Sequence, residues 1–152
     1  ATAAGCQLVA TCDLAVASYT SKFATPGVNI GLFCSTPMVA LSRNVSNKHA
    51  MEMLLTGDFV DTNRAEQIGL INCSYPSDVL SAEVNTIARK IASKSSITLA
   101  VGKKAFYKQS EMTLSDAYAY TSQIMVDNML KKDAEEGISA FLTKRKPEWK
   151  DK

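Results

Sequence analysis

The sequence predicts an α/β fold in which a few short strands precede a helical C-terminal region. Before residue 76, short apolar runs are separated by turn-forming Gly, Pro, Ser and Asn residues, a pattern typical of strands and short helices. From residue 97 onward, the apolar residues recur at helical spacing instead. We therefore divide the chain into a strand-bearing first region, residues 1–76, and a helical second region, residues 77–152.

In the first region, each element follows from an apolar run and the residues that interrupt it. In chain order, these elements are a helix over 5–12, strands over 13–17 and 22–24, a loop at Pro26 and Gly27, a helical stretch over 36–55 interrupted around 44–47, and a strand over 70–74. Thr62 is the predicted N-cap of one more short helix, which ends at Gly69.

The second region is predicted to contain only helices. Ser77 is expected to cap the first of them. The apolar face of that helix comprises Val79, Leu80, Val84, Ile87, Ala88 and Ile91. Between Leu114 and Met129 the pattern keeps a spacing of three or four without a break, which is a strong helix signal. Met125 and Met129 are predicted as core residues of that helix, and a final helix covers 133–143.

The composition narrows the range of functions. Of the 152 residues, 46% are hydrophobic and 21% are charged, which is ordinary for a soluble globular protein. No apolar run approaches the roughly 20 residues needed to span a bilayer, and a formal charge of +2 is too small to indicate nucleic-acid binding. The four cysteines form no CxxC pair and the single histidine, His49, is distant from them in sequence, so we predict no metal site and a structural histidine.

Positive charge is concentrated near the end of the chain. Seven of the 17 Lys and Arg residues fall between Lys131 and Lys152. The residues alone leave two interpretations open: a solvated, frayed end, or part of a site for an anionic ligand.

The stretch between Asp13 and Glu52 contains no acidic residue, although it includes part of a recognisable set of motifs. Five segments in register resemble those of the enoyl-CoA hydratase/isomerase family, the crotonases. They are residues 3–8 with 12–13, 23–31, 51–57, 65–70, and 136–141 with 144–146. The resemblance covers essentially the whole chain. It implies a crotonase α/β fold, with the C-terminal part of the spiral core and the helical region that builds the trimer. Family chains are longer, so we expect this chain to correspond to their C-terminal half.

The resemblance also implies where an active site lies. The two catalytic glutamates of the hydratases would fall at Gln7 and Gly27, so both carboxylates are absent and no catalytic residue is supported. The backbone N–H of Ala4 falls at the oxyanion hole, where the family usually has glycine. Gln7, Pro26 and Gly27 fall in the substrate pocket.

Near the other end of the chain, Phe141 and Lys144 match family positions that contact the adenine and the phosphates of coenzyme A. An aromatic face stacks on a purine, and an ammonium group meets a phosphate. The resemblance thus implies an acyl-CoA, a coenzyme A thioester, as the ligand, with no further cofactor. It also implies a homotrimer or hexamer as the assembly. The residues of these motifs are most similar to those of mitochondrial members of the family. This resemblance implies a mitochondrial location and a role in fatty acid metabolism.

Three functions remain open. The first is an acyl-CoA-binding protein that is not a competent hydratase, because Gln7 can hold a water but cannot take its proton. The second is a decarboxylase of malonyl-type thioesters that uses only the oxyanion hole, since loss of CO₂ generates the enolate without a base. The third is a hydratase or isomerase whose carboxylate comes from residues outside this chain. We expect the first.

Overall fold

The computed structural model describes residues 1–151, which form eight α-helices, one 3₁₀ helix and four short strands. The helices are α1 (Ala4–Thr11), α2 (Ser35–Asn44), α3 (Asn47–Thr56), α4 (Thr62–Gln67), α5 (Leu80–Ala92), α6 (Ser96–Gln109), α7 (Leu114–Met129) and α8 (Lys132–Leu142). The strands are β1 (Val16–Ser18), β2 (Lys22–Phe23), β3 (Val60–Asp61) and β4 (Cys73–Tyr75), and the 3₁₀ helix is Pro26–Ile30.

The described residues divide into two compact units. The first is Ala1–Thr86 and contains all four strands, and the second begins at Ile87 and contains α6, α7 and α8. Helix α5 runs across the division. The boundary placed between residues 76 and 77 from the sequence stays a prediction.

Two small sheets organise the first unit. β1 pairs in parallel with β4, and β2 pairs antiparallel with β3. The registers are Val16 opposite Cys73 and Lys22 opposite Asp61. The Asn72 side chain accepts a 2.8 Å hydrogen bond from the N–H of Ala15, which extends the parallel pair by one residue. The predicted strands are therefore present: β2 begins at the predicted Lys22, whereas β1 and β4 each begin three residues later than predicted.

The core of the first unit lies between α1, α2 and α3. Helix α1 packs against α2, and α3 packs against both α2 and the 3₁₀ helix. The buried side chains at the centre are Cys6, Phe23, Leu41, Met53 and Leu54. This packing fixes the start of α1 and the 3₁₀ helix in place, and these are the two segments that carry the predicted pocket residues.

Two helix caps predicted from the sequence are wrong. Asp61, not Thr62, is the N-cap of α4, because its carboxylate accepts a 2.8 Å hydrogen bond from the N–H of Arg64. Thr62 is buried and donates its hydroxyl to the carbonyl of Tyr19 instead, at 3.3 Å. Helix α5 begins beyond Ser77, which therefore does not cap it.

Helix α7 leaves most of its apolar side chains exposed. Ala117 is its buried residue, while Leu114, Tyr118, Met125 and Met129 are between 59% and 76% exposed. The prediction that Met125 and Met129 are core residues is wrong for this chain, because no described segment of the second unit covers them. Within residues 1–151, no helix is both long and apolar enough to cross a membrane.

Candidate functional site

The N-terminus of α1 presents an unpaired backbone donor. The N–H of Ala4, the first residue of α1, makes no hydrogen bond within residues 1–151, and Ala4 is exposed. The preceding residue, Ala3, has φ 46° and ψ −114°, and this positive φ is strained for a residue with a β-carbon. The free N–H lies at the positive end of the helix, where it can stabilise a negatively charged oxygen. The oxyanion-hole role of Ala4 stays a prediction.

Backbone pairing with a neighbouring segment fixes this turn. Thr2 and Ala24 form a parallel bridge. The N–H of Ala3 donates to the carbonyl of Ala24 at 3.0 Å, and the N–H of Ala24 donates to the carbonyl of Ala1 at 3.1 Å. Because Pro26 follows Ala24 closely, the bridge places the start of α1 beside the start of the 3₁₀ helix. The structure therefore brings the two predicted pocket segments together.

Gln7 lies one turn further along α1 and is partly buried. Its carbonyl accepts a 2.8 Å hydrogen bond from the hydroxyl of Thr11. Its side-chain amide makes no hydrogen bond with any described residue, so the amide is free to bind a water or a ligand. A neutral amide donates and accepts hydrogen bonds but cannot act as a base at neutral pH.

Gly27 lies where a side chain has no room. A β-carbon at this position would stand 2.7 Å from the carbonyl oxygen of Leu32 and 2.9 Å from the Sγ atom of Cys34. The N–H of Leu32 also donates to the carbonyl of Gly27 at 2.9 Å, which closes the loop around the glycine. Position 27 therefore lacks both a carboxylate and the space for one in this loop.

Two thiols lie close to the predicted pocket residues, and both are buried. Cys6 is on α1, and its burial raises the pKa of its thiol to about 11, so the thiol is protonated at neutral pH. Cys34 is the residue before α2 and is also buried. A buried, protonated thiol such as that of Cys6 is an inert packing group rather than a nucleophile. Among the residues that the structure describes, no group of His, Cys, Asp and Glu side chains could hold a metal ion.

The hydroxyl of Thr25 is buried and has no hydrogen-bond partner within the described part of the chain. Thr25 directly precedes Pro26, at the start of the 3₁₀ helix. A buried hydroxyl without a partner costs free energy. No residue pattern in the sequence indicates Thr25, because the lack of a hydrogen-bond partner is a property of the packing.

His49 belongs to an ion-pair network between α3 and α4. Its Nδ1 lies 3.0 Å from the guanidinium of Arg64 and 3.7 Å from Oε2 of Glu52. Arg64 binds the same carboxylate at 2.9 Å, and this hydrogen bond holds the pKa of Glu52 below its ordinary value. These contacts agree with the structural role predicted for the histidine.

The second unit carries the predicted coenzyme A residues at the end of α8. Phe141 is 81% exposed. Lys144 is exposed, and its ammonium group forms no ion pair or hydrogen bond with residues 1–151. Both side chains are therefore available to a ligand, and their role stays a prediction.

The residues after Lys144 are held in place, so the interpretation of a frayed end is wrong. The guanidinium of Arg145 binds both carboxylate oxygens of Glu136, at 2.5 and 2.9 Å. Glu136 also accepts a hydrogen bond from the N–H of Glu148 at 2.8 Å. Because Arg145 and this N–H stabilise the carboxylate, the pKa of Glu136 falls to about 2.

We call residues 145–151 the C-terminal clasp. Further hydrogen bonds attach it to α8 and to the residues around the start of α6. The Trp149 indole N–H donates to the Ser93 carbonyl at 2.8 Å. The N–H groups of Lys150 and Asp151 donate to the Asp133 carboxylate at 2.7 and 3.1 Å. The Asp151 carboxylate in turn accepts a hydrogen bond from the Ser96 N–H at 2.9 Å. The Asp133 carboxylate is buried, and a hydrogen bond from the Ser95 hydroxyl helps to lower its pKa.

Comparison with known proteins gives a consistent result. The family described as Enoyl-CoA hydratase/isomerase matches residues 1–152. The Rattus norvegicus protein named "Enoyl-CoA hydratase domain-containing protein 3, mitochondrial" is 57% identical over 149 residues, which are 98% of this chain and 50% of that protein. The chain thus spans about half the length of the curated relatives it matches.

Solved structures resemble this chain over almost its whole length. The enoyl-CoA hydratase of Mycobacterium smegmatis aligns with a TM-score of 0.95 at 52% identity, covering 98% of this chain and 58% of its own. Human enoyl Coenzyme A hydratase domain-containing protein 3 aligns with a TM-score of 0.94 at 57% identity, covering 98% and 59%.

Proposed function

Because this chain belongs to the enoyl-CoA hydratase/isomerase family, we propose that it binds acyl-CoA thioesters without hydrating them by the two-glutamate route of hydratases. The family membership and the crotonase α/β fold predicted from the sequence are both confirmed. One observation carries the proposal: the unpaired N–H of Ala4 lies in the same neighbourhood as Gln7 and Gly27, which supply no carboxylate.

The backbone donor supports binding of a thioester carbonyl. An N–H at the start of a helix is pre-oriented, and the helix dipole adds to its attraction for a partly negative oxygen. Ala4 supplies one such donor through its backbone, so the alanine side chain does not interfere with the hydrogen bond. In the proposed complex, this N–H contacts the thioester oxygen of the bound acyl-CoA.

The missing carboxylates argue against hydration. Adding water to an enoyl thioester requires a base that takes a proton from the water and an acid that gives one to the α-carbon. The Gln7 amide can do neither, and Gly27 has no side chain. The close approach of Leu32 and Cys34 to Gly27 also leaves no room for a side chain at position 27 in this loop.

The same geometry favours a second candidate, decarboxylation of a malonyl-type thioester. There the C–C bond to the carboxylate breaks, CO₂ leaves, and the electron pair forms the enolate that the oxyanion donor stabilises. No base is needed to begin the reaction, so a site with a donor and no carboxylate is sufficient. Water or another acid then protonates the enolate.

The exposed ends of α7 and α8 support two further parts of the proposal. Phe141 and Lys144 would contact the adenine and a phosphate of coenzyme A. The exposed apolar residues of α7 suit a subunit interface, so we propose a homotrimeric or hexameric assembly. The rat relative carries the word mitochondrial in its name, and we extend that location to this protein as a proposal.

Two measurements on the protein at its native length test the proposal. Calorimetric titration with acetyl-CoA and with S-ethyl-CoA, a thioether without the carbonyl oxygen, is expected to show tighter binding of the thioester by roughly fivefold. Equal affinity would remove the role of the Ala4 N–H, and no binding of either would overturn the proposal. Incubation with crotonyl-CoA is expected to leave the double bond intact, whereas malonyl-CoA turnover to acetyl-CoA would favour the decarboxylase.

A further inference from the structure

Lys144 occupies a position at which helices usually place glycine. Helix α8 ends in a Schellman motif, in which the N–H of Lys144 donates to the carbonyl of Phe141 at 3.2 Å and the N–H of Arg145 donates to the carbonyl of Ala140 at 3.0 Å. Making both bonds requires a left-handed backbone at the first donor residue, and this residue, Lys144, has φ 54°. A β-carbon is strained there, which is why glycine predominates.

An ion pair holds this strained turn in place. Arg145 directly follows Lys144, and its guanidinium binds both oxygens of Glu136, a residue in the body of α8. Since a bidentate pair fixes direction as well as distance, it restricts the backbone at the end of the helix. The N–H of Glu148 binds the same carboxylate, so the C-terminal clasp reinforces the pair.

The same contacts give the two neighbouring cations different tasks. The charge of Arg145 is compensated by Glu136, so Arg145 does not offer a free guanidinium to a ligand. Lys144 has no compensating partner among residues 1–151 and projects from the helix end, one turn after the exposed Phe141. The basic end of the chain therefore presents one positioned ammonium group at this turn.

We propose that Arg145 is a positioning residue: through Glu136 and the C-terminal clasp, it holds the left-handed turn from which Lys144 alone binds a phosphate of the ligand. The inference rests on the proposed binding of acyl-CoA and adds separate roles for the two cations: Lys144 binds the phosphate, and Arg145 positions Lys144. It also explains why a lysine is placed where glycine is less strained, since glycine has no ammonium group.

The test uses the protein at its native length and two probes. Acetyl-CoA carries the phosphates, and S-acetylpantetheine carries the same thioester without them. Lys144→Gly is expected to raise the melting temperature, because it relieves the left-handed strain, and to weaken acetyl-CoA binding by roughly tenfold. Its affinity for S-acetylpantetheine is expected to stay unchanged.

Arg145→Lys separates positioning from charge. Lysine keeps the positive charge but cannot form the bidentate pair. Acetyl-CoA affinity is expected to fall roughly threefold, because the loosened turn must be ordered on binding, while S-acetylpantetheine affinity does not change. Lys146→Ala is the matched control, since it removes a neighbouring charge that forms no ion pair in the described structure, and it is expected to bind both probes as the unchanged protein does.

The outcomes distinguish this inference from the proposed function. If the unchanged protein binds neither probe, the proposed function fails. If it binds acetyl-CoA and Arg145→Lys binds it equally well, the positioning role fails while the proposed function stands. The fluorescence of Trp149, within the clasp, provides a second measurement for Arg145→Lys. A changed emission is expected as the clasp loosens, and an unchanged emission together with unchanged affinity would overturn the inference.

Discussion

The Sγ atom of Cys34 lies 2.9 Å from the point at which a β-carbon on Gly27 would stand. The carbonyl oxygen of Leu32 is closer still, at 2.7 Å, and it belongs to the backbone. A side chain can rotate away from an added atom, but a backbone carbonyl moves only with its loop. The loop at residues 32–34 is therefore packed against Gly27, and it can keep this position only while residue 27 has no side chain.

Gly27→Ala is expected to lower the free energy of unfolding by about 1–3 kcal/mol, because the added methyl group forces the Leu32 carbonyl to move. Gly102→Ala is the matched control. Gly102 lies inside α6 with open space around it, so the same change is expected to stabilise the protein by about 0.5–1 kcal/mol. Chemical denaturation of both variants measures the difference, and two changes of the same sign would contradict the packing argument.

Restoring glutamate at both pocket positions is expected not to create a hydratase. Gln7→Glu supplies one carboxylate, but Gly27→Glu places its β-carbon against the Leu32 carbonyl. Loss of an acid or base group costs on the order of 10²–10⁴ in rate, so one restored group is not enough. The assay follows crotonyl-CoA hydration by the double variant. A rate within tenfold of an ordinary hydratase would show that the loop accommodates the side chain.

Thr25→Val is expected to stabilise the protein by about 1 kcal/mol, since it replaces a buried hydroxyl that lacks a partner with a methyl group of similar size. Thr62→Val is the matched control, because the hydroxyl of Thr62 is also buried but donates to Tyr19. The control is expected to destabilise by about 1 kcal/mol. Thermal unfolding of both variants decides the point, and a loss of stability in Thr25→Val would reveal a partner for its hydroxyl.

Ala3→Gly is expected to raise the free energy of unfolding by about 1 kcal/mol. Glycine adopts the φ of 46° without the strain of a β-carbon, and this gain exceeds its larger entropy in the unfolded chain. Ala88→Gly, inside α5, serves as the control and is expected to cost about 1 kcal/mol. Equal losses from the two changes would mean that the turn at Ala3 is not strained.

The Glu136–Arg145 pair is expected to make stability fall in acid. The hydrogen bonds from Arg145 and from the N–H of Glu148 lower the pKa of Glu136 from 4.5 to about 2 in the folded protein. A lowered pKa means that the stabilisation is complete above 4.5 and is lost as the pH falls toward 2. Melting temperatures across this window should drop more steeply for the unchanged protein than for Glu136→Gln. Glu135→Gln removes an equal charge without breaking a described ion pair, and its slope should match that of the unchanged protein.

Helices and strands could be predicted where polar or turn-forming residues separate apolar runs of regular spacing. The break between α2 and α3 follows from the polar residues Asn44, Ser46 and Asn47, and the helical spacing of α7 is plain in its apolar residues. Strand β3 was missed because it is only Val60–Asp61 and exists through its pairing with β2. The exposure of Met125 could not be predicted, because helical spacing identifies an apolar face but not what covers it.

Features of the site that depend on contacts between distant segments could not be predicted from the sequence. The motifs indicated Ala4, Gln7 and Gly27, but the clash at Gly27 depends on the path of the loop after it. Arg145 was counted with the basic end of the chain, although an acidic residue nine positions earlier, Glu136, is its partner. Opposite charges on the two sides of a helix end are a signal that could have identified this pair.

The pairing of β1 with β4 has a consequence for how the protein folds. The hydrogen bond from Ala15 to Asn72 joins residues 57 positions apart, so the chain must close a long loop before this sheet gains any contact. In the second unit, α6 packs against α7 and α7 packs against α8, and such local contacts form early, whereas the C-terminal clasp joins residues 55 and 56 positions apart. We therefore expect the parallel pair of the first unit and the C-terminal clasp of the second to acquire protection from hydrogen exchange later than the helix pairs that are neighbours in sequence.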